Sequence, residues 1–517
     1  MVSRADLARR RLAPTLVVVA TAALFAIPFG YLGVRAIGNG GAGWEATVDD
    51  ASIEPLWRSI QLVVLTTVVA TTVGVGMAWL TARTNLPGRR LLGVLAVLPL
   101  VIPSYVAAYA YVSAFARGGL LDEALGVSWL PAVRGLPGAV FVLTAVSYPY
   151  VYLPVAARLR TIPPSLEESA RMLGRSSWQT FRSVVLPQCA APIAAGSLLV
   201  ALYTLSDFGA VQYVRYDTLT RRIFAARLDP VTSVAVSLLL GVLALAIAGG
   251  EHLARRRFRP VSGVGMKASI THRLGSLRWP AFGATAGVIG LALITPVGVV
   301  TWWVIRGQRS GVRRSRAVDL PQETWSTAWI GVVSAVATVA VVLPVAWLVM
   351  RRQHRVAAAA GTLVMATFGL PGVVIALSLV GITVGTSWYK GFTVLVLAYV
   401  LHFGGQALGA AQSAIGSVSV RYDEAARLLG ANRWRRLWRI DLRLMAPGLA
   451  AAGGLVLLSV MKELPATLML RPIEFNTLAT RINATVEDAL FIDAGGLSLV
   501  LVALSGVLTW ALVLRRH

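Results

Sequence analysis

Apolar runs alternate with short polar, arginine-bearing segments from one end of the chain to the other. Twelve runs approach spanning length: 14–34, 59–81, 91–115, 135–157, 191–212, 231–250, 280–305, 326–350, 357–383, 391–412, 447–469 and 494–514. A helix needs about 20 apolar residues to cross a bilayer, so the pattern predicts an all-α polytopic membrane protein with about twelve transmembrane helices. Membrane barrels instead show alternating segments of about 10 residues, and that pattern is absent. The first run follows Arg9, Arg10 and Arg11. It exceeds the roughly 7–15 apolar residues of a cleaved leader and is expected to be the first span.

The polar segments reveal an internal duplication. Residues 162–174 read IPPSLEESARMLG and residues 418–430 read VSVRYDEAARLLG, 256 positions apart. Asp207 and Glu463 recur at the same offset, each near the end of the next apolar run. DTLTRRI (217–223) matches NTLATRI (476–482) at an offset of 259. Both copies have six spans, so the repeats run in parallel. The expected organisation is a first repeat over 1–251, a basic polar linker over 252–279 and a second repeat over 280–517.

Composition narrows the class further. The 517 residues are 56% hydrophobic and 14% charged, with a mean hydropathy of +0.70. Soluble domains are about 45–50% apolar and about 25% charged, so disorder and a soluble enzyme are both excluded. The net charge is +25, and all but three of the 48 basic residues are Arg. In a soluble protein this excess points to nucleic acid. Here the arginines sit between apolar runs and follow the positive-inside rule, so no nucleic-acid partner is expected. With the N-terminus in the cytoplasm, most Lys and Arg fall on cytoplasmic segments, and both termini are expected there. Two outward segments run against the trend: 306–316 carries five Arg and 215–227 carries four.

Catalytic chemistry has little to stand on. Cys189 is the one cysteine and the five histidines are scattered, so neither a disulfide nor a metal site is expected. A nucleotide-binding loop needs Gly-Lys followed by Ser or Thr, and none of the lysines (Lys267, Lys390, Lys462) follows a glycine. No catalytic residue and no bound cofactor is assigned. Any ATP hydrolysis belongs to a separate subunit.

The duplicated loops, 162–187 and 418–443, carry the informative motif. The first contains Glu168, Ser169, Ala170 and Gly174, then nine residues, then Val184, Leu186 and Pro187. The second contains Glu424, Ala425, Ala426 and Gly430, then nine residues, then Ile440 and Leu442. A glycine at the end of a helix suits the chain reversal there, and a basic amphipathic stretch follows each one. The expected local structure is a helix–turn–helix on the cytoplasmic face. The pattern resembles the EAA motif of ABC importer permeases, EAA-x3-G-x9-I-x-LP, with Arg443 in place of the second copy's proline. The resemblance implies that each loop forms a coupling helix docking on a cytoplasmic ATPase. It further implies two ATPase copies consuming ATP and Mg, an extracytoplasmic substrate-binding protein, and location in a bacterial inner membrane.

The stretches SYPYVYLP (147–154), LSDFGAVQY (205–213) and KELPATLMLRP (462–472) resemble the fused two-domain ferric-iron branch of these permeases. Related fused permeases carry thiamine or aminoethylphosphonate. Ferric iron is hard and prefers oxygen ligands, which makes Asp207, Glu463, Tyr148, Tyr150 and Tyr152 candidates for the pathway. An ionisable residue inside a span is a functional candidate. The competing explanation is an interfacial position, common for Tyr. Arg222 and Arg481 recur in the two repeats and suit an outer vestibule, a binding-protein contact or plain surface. Pro103 and Pro371 fall inside the third span of each repeat, where a proline marks a hinge or a static kink. A secondary transporter also commonly has twelve spans in two halves, but it leaves the basic loops without a role. An integral-membrane enzyme needs a convergent cluster of reactive side chains, which this sequence lacks.

Overall fold

The computed structural model describes residues 4–116, 119–126, 131–257, 271–309, 319–352, 355–416, 418, 422, 432, 436–488 and 490–513. Nine helices among these residues are long and apolar enough to cross a membrane, and three bent helix pairs bring the total to as many as twelve. The long helices are Thr15–Val48 (span 1), Asp50–Arg83 (span 2), Ser177–Ser206 (span 5), Pro230–Ile247 (span 6), Gly275–Gly307 (span 7), Leu320–Arg351 (span 8), Phe392–Gly416 (span 10), Arg439–Met461 (span 11) and Phe491–Ala511 (span 12). The bent pairs supply spans 3, 4 and 9.

Lipid explains the faces these helices leave uncovered. Val64, Leu65 and Val68 of span 2 are exposed, and so are Val332, Val333 and Val336, their counterparts 268 positions on in span 8. Contiguous apolar surface of this kind is rare on a soluble monomer. In hydrocarbon it costs nothing, and the helical backbone satisfies its own hydrogen bonds.

The duplication is visible in the packing. Spans 2, 4 and 5 pack together, as do spans 8, 10 and 11. The Ser59 hydroxyl accepts the Leu219 N–H at 2.9 Å, and the Thr327 hydroxyl accepts the Leu478 N–H at 2.8 Å. Each bond satisfies an otherwise unpaired amide at a helix start. The first span of each repeat packs within its own repeat, span 1 on span 6 and span 7 on span 12, and also reaches the other repeat. Span 1 packs on spans 8 and 9, where the Thr367 hydroxyl donates to the Phe25 carbonyl at 3.1 Å. Span 7 packs on the second arm of span 3, and the Tyr111 hydroxyl donates to the Leu291 carbonyl at 2.5 Å.

Three spans that hydropathy predicts as continuous are bent. Span 3 is Arg89–Val101 and Ser104–Ala114 at 98°, span 4 is Gly135–Ser147 and Pro149–Thr161 at 40°, and span 9 is Arg355–Phe368 and Gly372–Thr383 at 104°. Pro103 and Pro371 therefore stand at breaks between half-helices. Both are extended, with ψ of 143° and 148°. Proline supplies no amide for the helix ladder and disfavours helical geometry in the preceding residue. Spans 5 and 11 also stop early, at Ser206 and Met461. The helices expected to run to 212 and 469 give way at Asp207 and Glu463 to short helices, Gly209–Tyr213 and Pro465–Leu470.

Candidate functional site

The breaks of spans 3, 5, 9 and 11 meet around a cavity of about 520 Å³ between the two repeats. The first repeat contributes Pro103, Ser104, Tyr105, Tyr150, Tyr203, Ser206 and Asp207, and the second contributes Gly372, His402, Gln406, Ser459, Lys462 and Glu463. Each carboxylate sits at the start of a short helix and accepts its free amides. Asp207 Oδ1 accepts from Ala210 N at 2.8 Å and from Val211 N at 3.4 Å, and Oδ2 accepts the Ser104 hydroxyl. Glu463 Oε1 accepts from Ala466 N at 2.8 Å. Its Oε2 accepts from Thr467 N at 2.9 Å and from the Thr467 hydroxyl at 2.6 Å. A carboxylate facing a helix N-terminus is stabilised by the unpaired amides and the helix dipole. This capping is why the spans end where they do.

The two caps differ in one respect. Where Ser104 donates to Asp207, the second repeat has Gly372 against Glu463. A methyl group on Gly372 would stand 2.9 Å from Glu463 Oε1, so glycine leaves room for the longer acid.

Of the three tyrosines in SYPYVYLP, Tyr150 lines the cavity, 5.6 Å centroid to centroid from Tyr203. Tyr148 is fully buried at the bend of span 4. The Tyr152 hydroxyl donates to the Gly93 carbonyl at 3.2 Å and pairs with Thr81 at 3.1 Å. Arg481 pairs with Glu323 at the start of span 8, and Arg222 lies on the equivalent helix Leu219–Ala225. Neither arginine lines the cavity.

A second cleft of about 740 Å³ lies where the ends of spans 3 and 7 meet the start of span 12. Tyr109, Tyr213, Trp302, Trp303 and Phe491 line it, with Arg134, Arg215, Arg306 and Glu487. Tyr109 stacks on Trp303 at 5.4 Å.

The loop 162–187 begins with the helix Pro164–Met172. Gly174 follows it with φ of 79°, the left-handed region that favours glycine. Gly174 N donates to the Arg171 carbonyl at 2.9 Å and Arg175 N to the Ala170 carbonyl at 3.2 Å, which is the paired closure of a Schellman turn. The second helix is not a separate surface element. It starts at a capping box formed by Ser176 and Gln179 and continues through Ser206 as span 5. The helical path is unbroken because Phe181–Val185 is wound as a π segment rather than a turn. Ala170 is buried, while Glu168 and Ser169 are exposed. Glu424, Ala425, Ala426 and Gly430 lie outside the described residues.

The neighbouring acid is the one buried in the fold. Glu167 is 0% exposed and pairs with Arg83, also 0% exposed, at the end of span 2. Its other oxygen lies 3.3 Å from His272 Nε2. Burial and the nearby Arg171 and Arg83 charges hold the His272 ring below its ordinary pKa of 6.5. Sequence inspection did not single out Arg83, Glu167 or His272. The available signal was a Trp-x3-Arg string that recurs as Trp79/Arg83 and Trp347/Arg351.

Comparison with known proteins accords with this arrangement. The model of the "binding-protein-dependent transport system inner membrane component" family matches twice, over residues 70–259 and 339–515. The chain belongs to this family. The double match is consistent with two repeats, and the chain is the permease part of an ABC importer. The Fe(3+)-transport system permease protein FbpB 2 of Haemophilus influenzae is 28% identical over 504 residues, covering 95% of this chain and 96% of that protein. The sulfate transport system permease protein CysT of Escherichia coli is 34% identical over 141 residues, 27% of this chain and 51% of that protein. The molybdenum transport system permease protein ModB of Escherichia coli is 30% identical over 165 residues, 30% of this chain and 71% of that protein. Membership of a binding-protein-dependent transport family implies an ATPase and a substrate-binding protein as partners, and the relatives are transport permeases, consistent with a transport subunit.

Proposed function

We propose that this permease carries ferric iron inward, driven by two copies of a separate ATPase that binds ATP and Mg. The observation that carries this reading is the similarity to an Fe(3+) permease over 95% of the chain. Both termini and the loops 162–187 and 418–443 face the cytoplasm. Glu168, Ala170 and Gly174, with Glu424, Ala425, Ala426 and Gly430, form the ATPase-coupling elements. The aromatic cleft on the opposite face receives cargo from the binding protein, and the inter-repeat cavity holds it in transit. The two repeats rock about the breaks at Pro103 and Pro371 to give access to each side in turn. Hydroxyl and carboxylate oxygens surround the cavity, as a hard cation prefers. Because Asp207 and Glu463 already hold backbone amides, their grip on cargo is weak, which suits conduction.

A second cargo class is an oxyanion. Lys462 lines the cavity, and the sulfate and molybdenum permeases are similar to 27% and 30% of this chain. The deciding experiment reconstitutes the permease with its ATPase and binding protein in proteoliposomes. Uptake of chelated ferric iron is compared with sulfate, molybdate, thiamine and aminoethylphosphonate. ATP-dependent uptake of iron alone supports the first reading. Uptake of an oxyanion without iron replaces it. Uptake that follows an ion gradient without ATP replaces both with a secondary transporter.

A further inference from the structure

One cluster ties together four elements that belong to different parts of the transport cycle. Arg83 ends span 2, and its Nη1 donates to the Leu159 carbonyl in the last turn of span 4 at 3.1 Å. The same guanidinium pairs with Glu167 of the helix Pro164–Met172. On the other side of Glu167 stands His272, from the end of the linker between the repeats. The linker is pinned by its backbone as well. His272 N donates to the Arg83 carbonyl at 2.7 Å and Asn85 N to the His272 carbonyl at 3.1 Å, and Leu274 N donates to Asn85 Oδ1 at 2.9 Å. The imidazole stacks on Trp79 at 5.1 Å, and its Nδ1 lies 3.3 Å from Arg171 Nη2. Three residues after His272 span 7 begins.

We propose that Arg83, Glu167 and His272 form a joint that transmits movement of the helix Pro164–Met172 to span 2 and, through the linker, to span 7. His272 is then a positioning residue for coupling. This inference rests on the reading that Pro164–Met172 docks on the ATPase. The Arg83–Glu167 contact is fully buried and His272 partly so, and packed contacts carry displacement because interiors are dense and repack in discrete steps. One bond of the joint has a counterpart in the second repeat: Arg351, at the end of span 8, donates to the Val418 carbonyl just past span 10 at 3.0 Å. An acid also precedes each motif glutamate, Glu167 and Asp423. The linker occurs once in the chain, so the His272 contact serves the first repeat's loop alone. It is also the point where that loop is fastened to a span of the second repeat.

The test uses the full complex of permease, ATPase and loaded binding protein in proteoliposomes. Cargo moved per ATP hydrolysed is measured for wild type, His272→Ala and His272→Gln, alongside the ATPase retained on purification. The expected result is a fivefold or greater fall in cargo per ATP for His272→Ala with the ATPase retained in full. His272→Gln, which keeps a polar contact to Glu167, recovers more than half of the loss. If His272→Ala does not accumulate, Asn85→Ala removes the side-chain bond to Leu274 N and loosens the linker while leaving its backbone pairing, Arg83 and Glu167 in place, and a smaller fall in the same direction is expected. Unchanged cargo per ATP in these variants, with a wild type that transports, overturns the joint alone. A wild type that moves no cargo with ATP overturns the underlying permease reading instead.

Discussion

The Lys462 ammonium donates to the Leu100 carbonyl at 2.7 Å, from the break of span 11 to the first arm of span 3. This bond crosses the boundary between the repeats at the wall of the cavity. A hydrogen bond with a charged partner contributes about 1.5–3 kcal/mol. Lys462→Met keeps the length of the side chain and removes the bond. It is expected to shift the balance between conformations by about tenfold or more. The measurable result is higher ATP hydrolysis without cargo and lower uptake. Hydrolysis that stays tightly dependent on loaded binding protein would count against a latch at this position.

The adjacent acids of the loop should separate by phenotype. Glu167→Ala leaves the buried Arg83 without its counter-charge, which costs about 3–5 kcal/mol. A lower unfolding temperature and poor recovery from membranes are expected. Glu168 is exposed, so Glu168→Ala should fold normally. Combined with Glu424→Ala it should stop ATP-driven uptake. Thermal unfolding in detergent and uptake in proteoliposomes check the pair. A stable Glu167→Ala protein would show that the ion pair contributes little.

Gly372 faces the Glu463 carboxylate with no space for a methyl group. Overpacking of this kind costs typically about 1–3 kcal/mol. Gly372→Ala should therefore lower both stability and uptake. Gly372→Ser introduces the hydroxyl that Ser104 supplies to Asp207 and should retain more uptake than the alanine variant. Equal loss in both would mean that volume alone decides.

The state of His272 predicts a dependence on pH. Its pKa lies below 6.5 in the folded protein, so the unfolded chain binds more protons as pH falls through 6.5. Stability therefore rises with pH through this window and is lost on acidification below it. The unfolding temperature should be lower at pH 5.5 than at pH 7.5, and the difference should shrink in His272→Gln. An identical difference in the variant would assign the effect to other groups.

Much of the architecture is legible in the sequence because lipid imposes a simple rule. Span positions follow from apolar length, and the duplication follows from the two motif loops. What hydropathy misses are the breaks. The run 91–115 remains apolar through Pro103, and the run 191–212 remains so through Asp207, although the backbone stops being helical at both. A carboxylate that caps a helix looks the same in sequence as one that binds cargo. Glu167 and Glu168 are likewise indistinguishable until the fold brings Arg83 and His272 to one of them. Those contacts join residues about a hundred positions apart, and no local pattern encodes them. The recurrence of Trp79, Arg83 and Pro103 as Trp347, Arg351 and Pro371, with the acid before each motif glutamate, is the trace the sequence leaves.

The lodging of span 1 against the second repeat has a consequence for biogenesis. Thr21 donates to the Val341 carbonyl at 3.4 Å, 320 residues further along the chain. Polypeptides are made at about 5–20 residues per second, so span 1 waits on the order of 15–65 s for the part of its surface that the second repeat covers, having met span 6 earlier. During that interval its small and hydroxylic positions face lipid or a temporary escort. Membrane chaperoning and the pace of translation therefore bear on assembly most strongly at the first helix to be inserted.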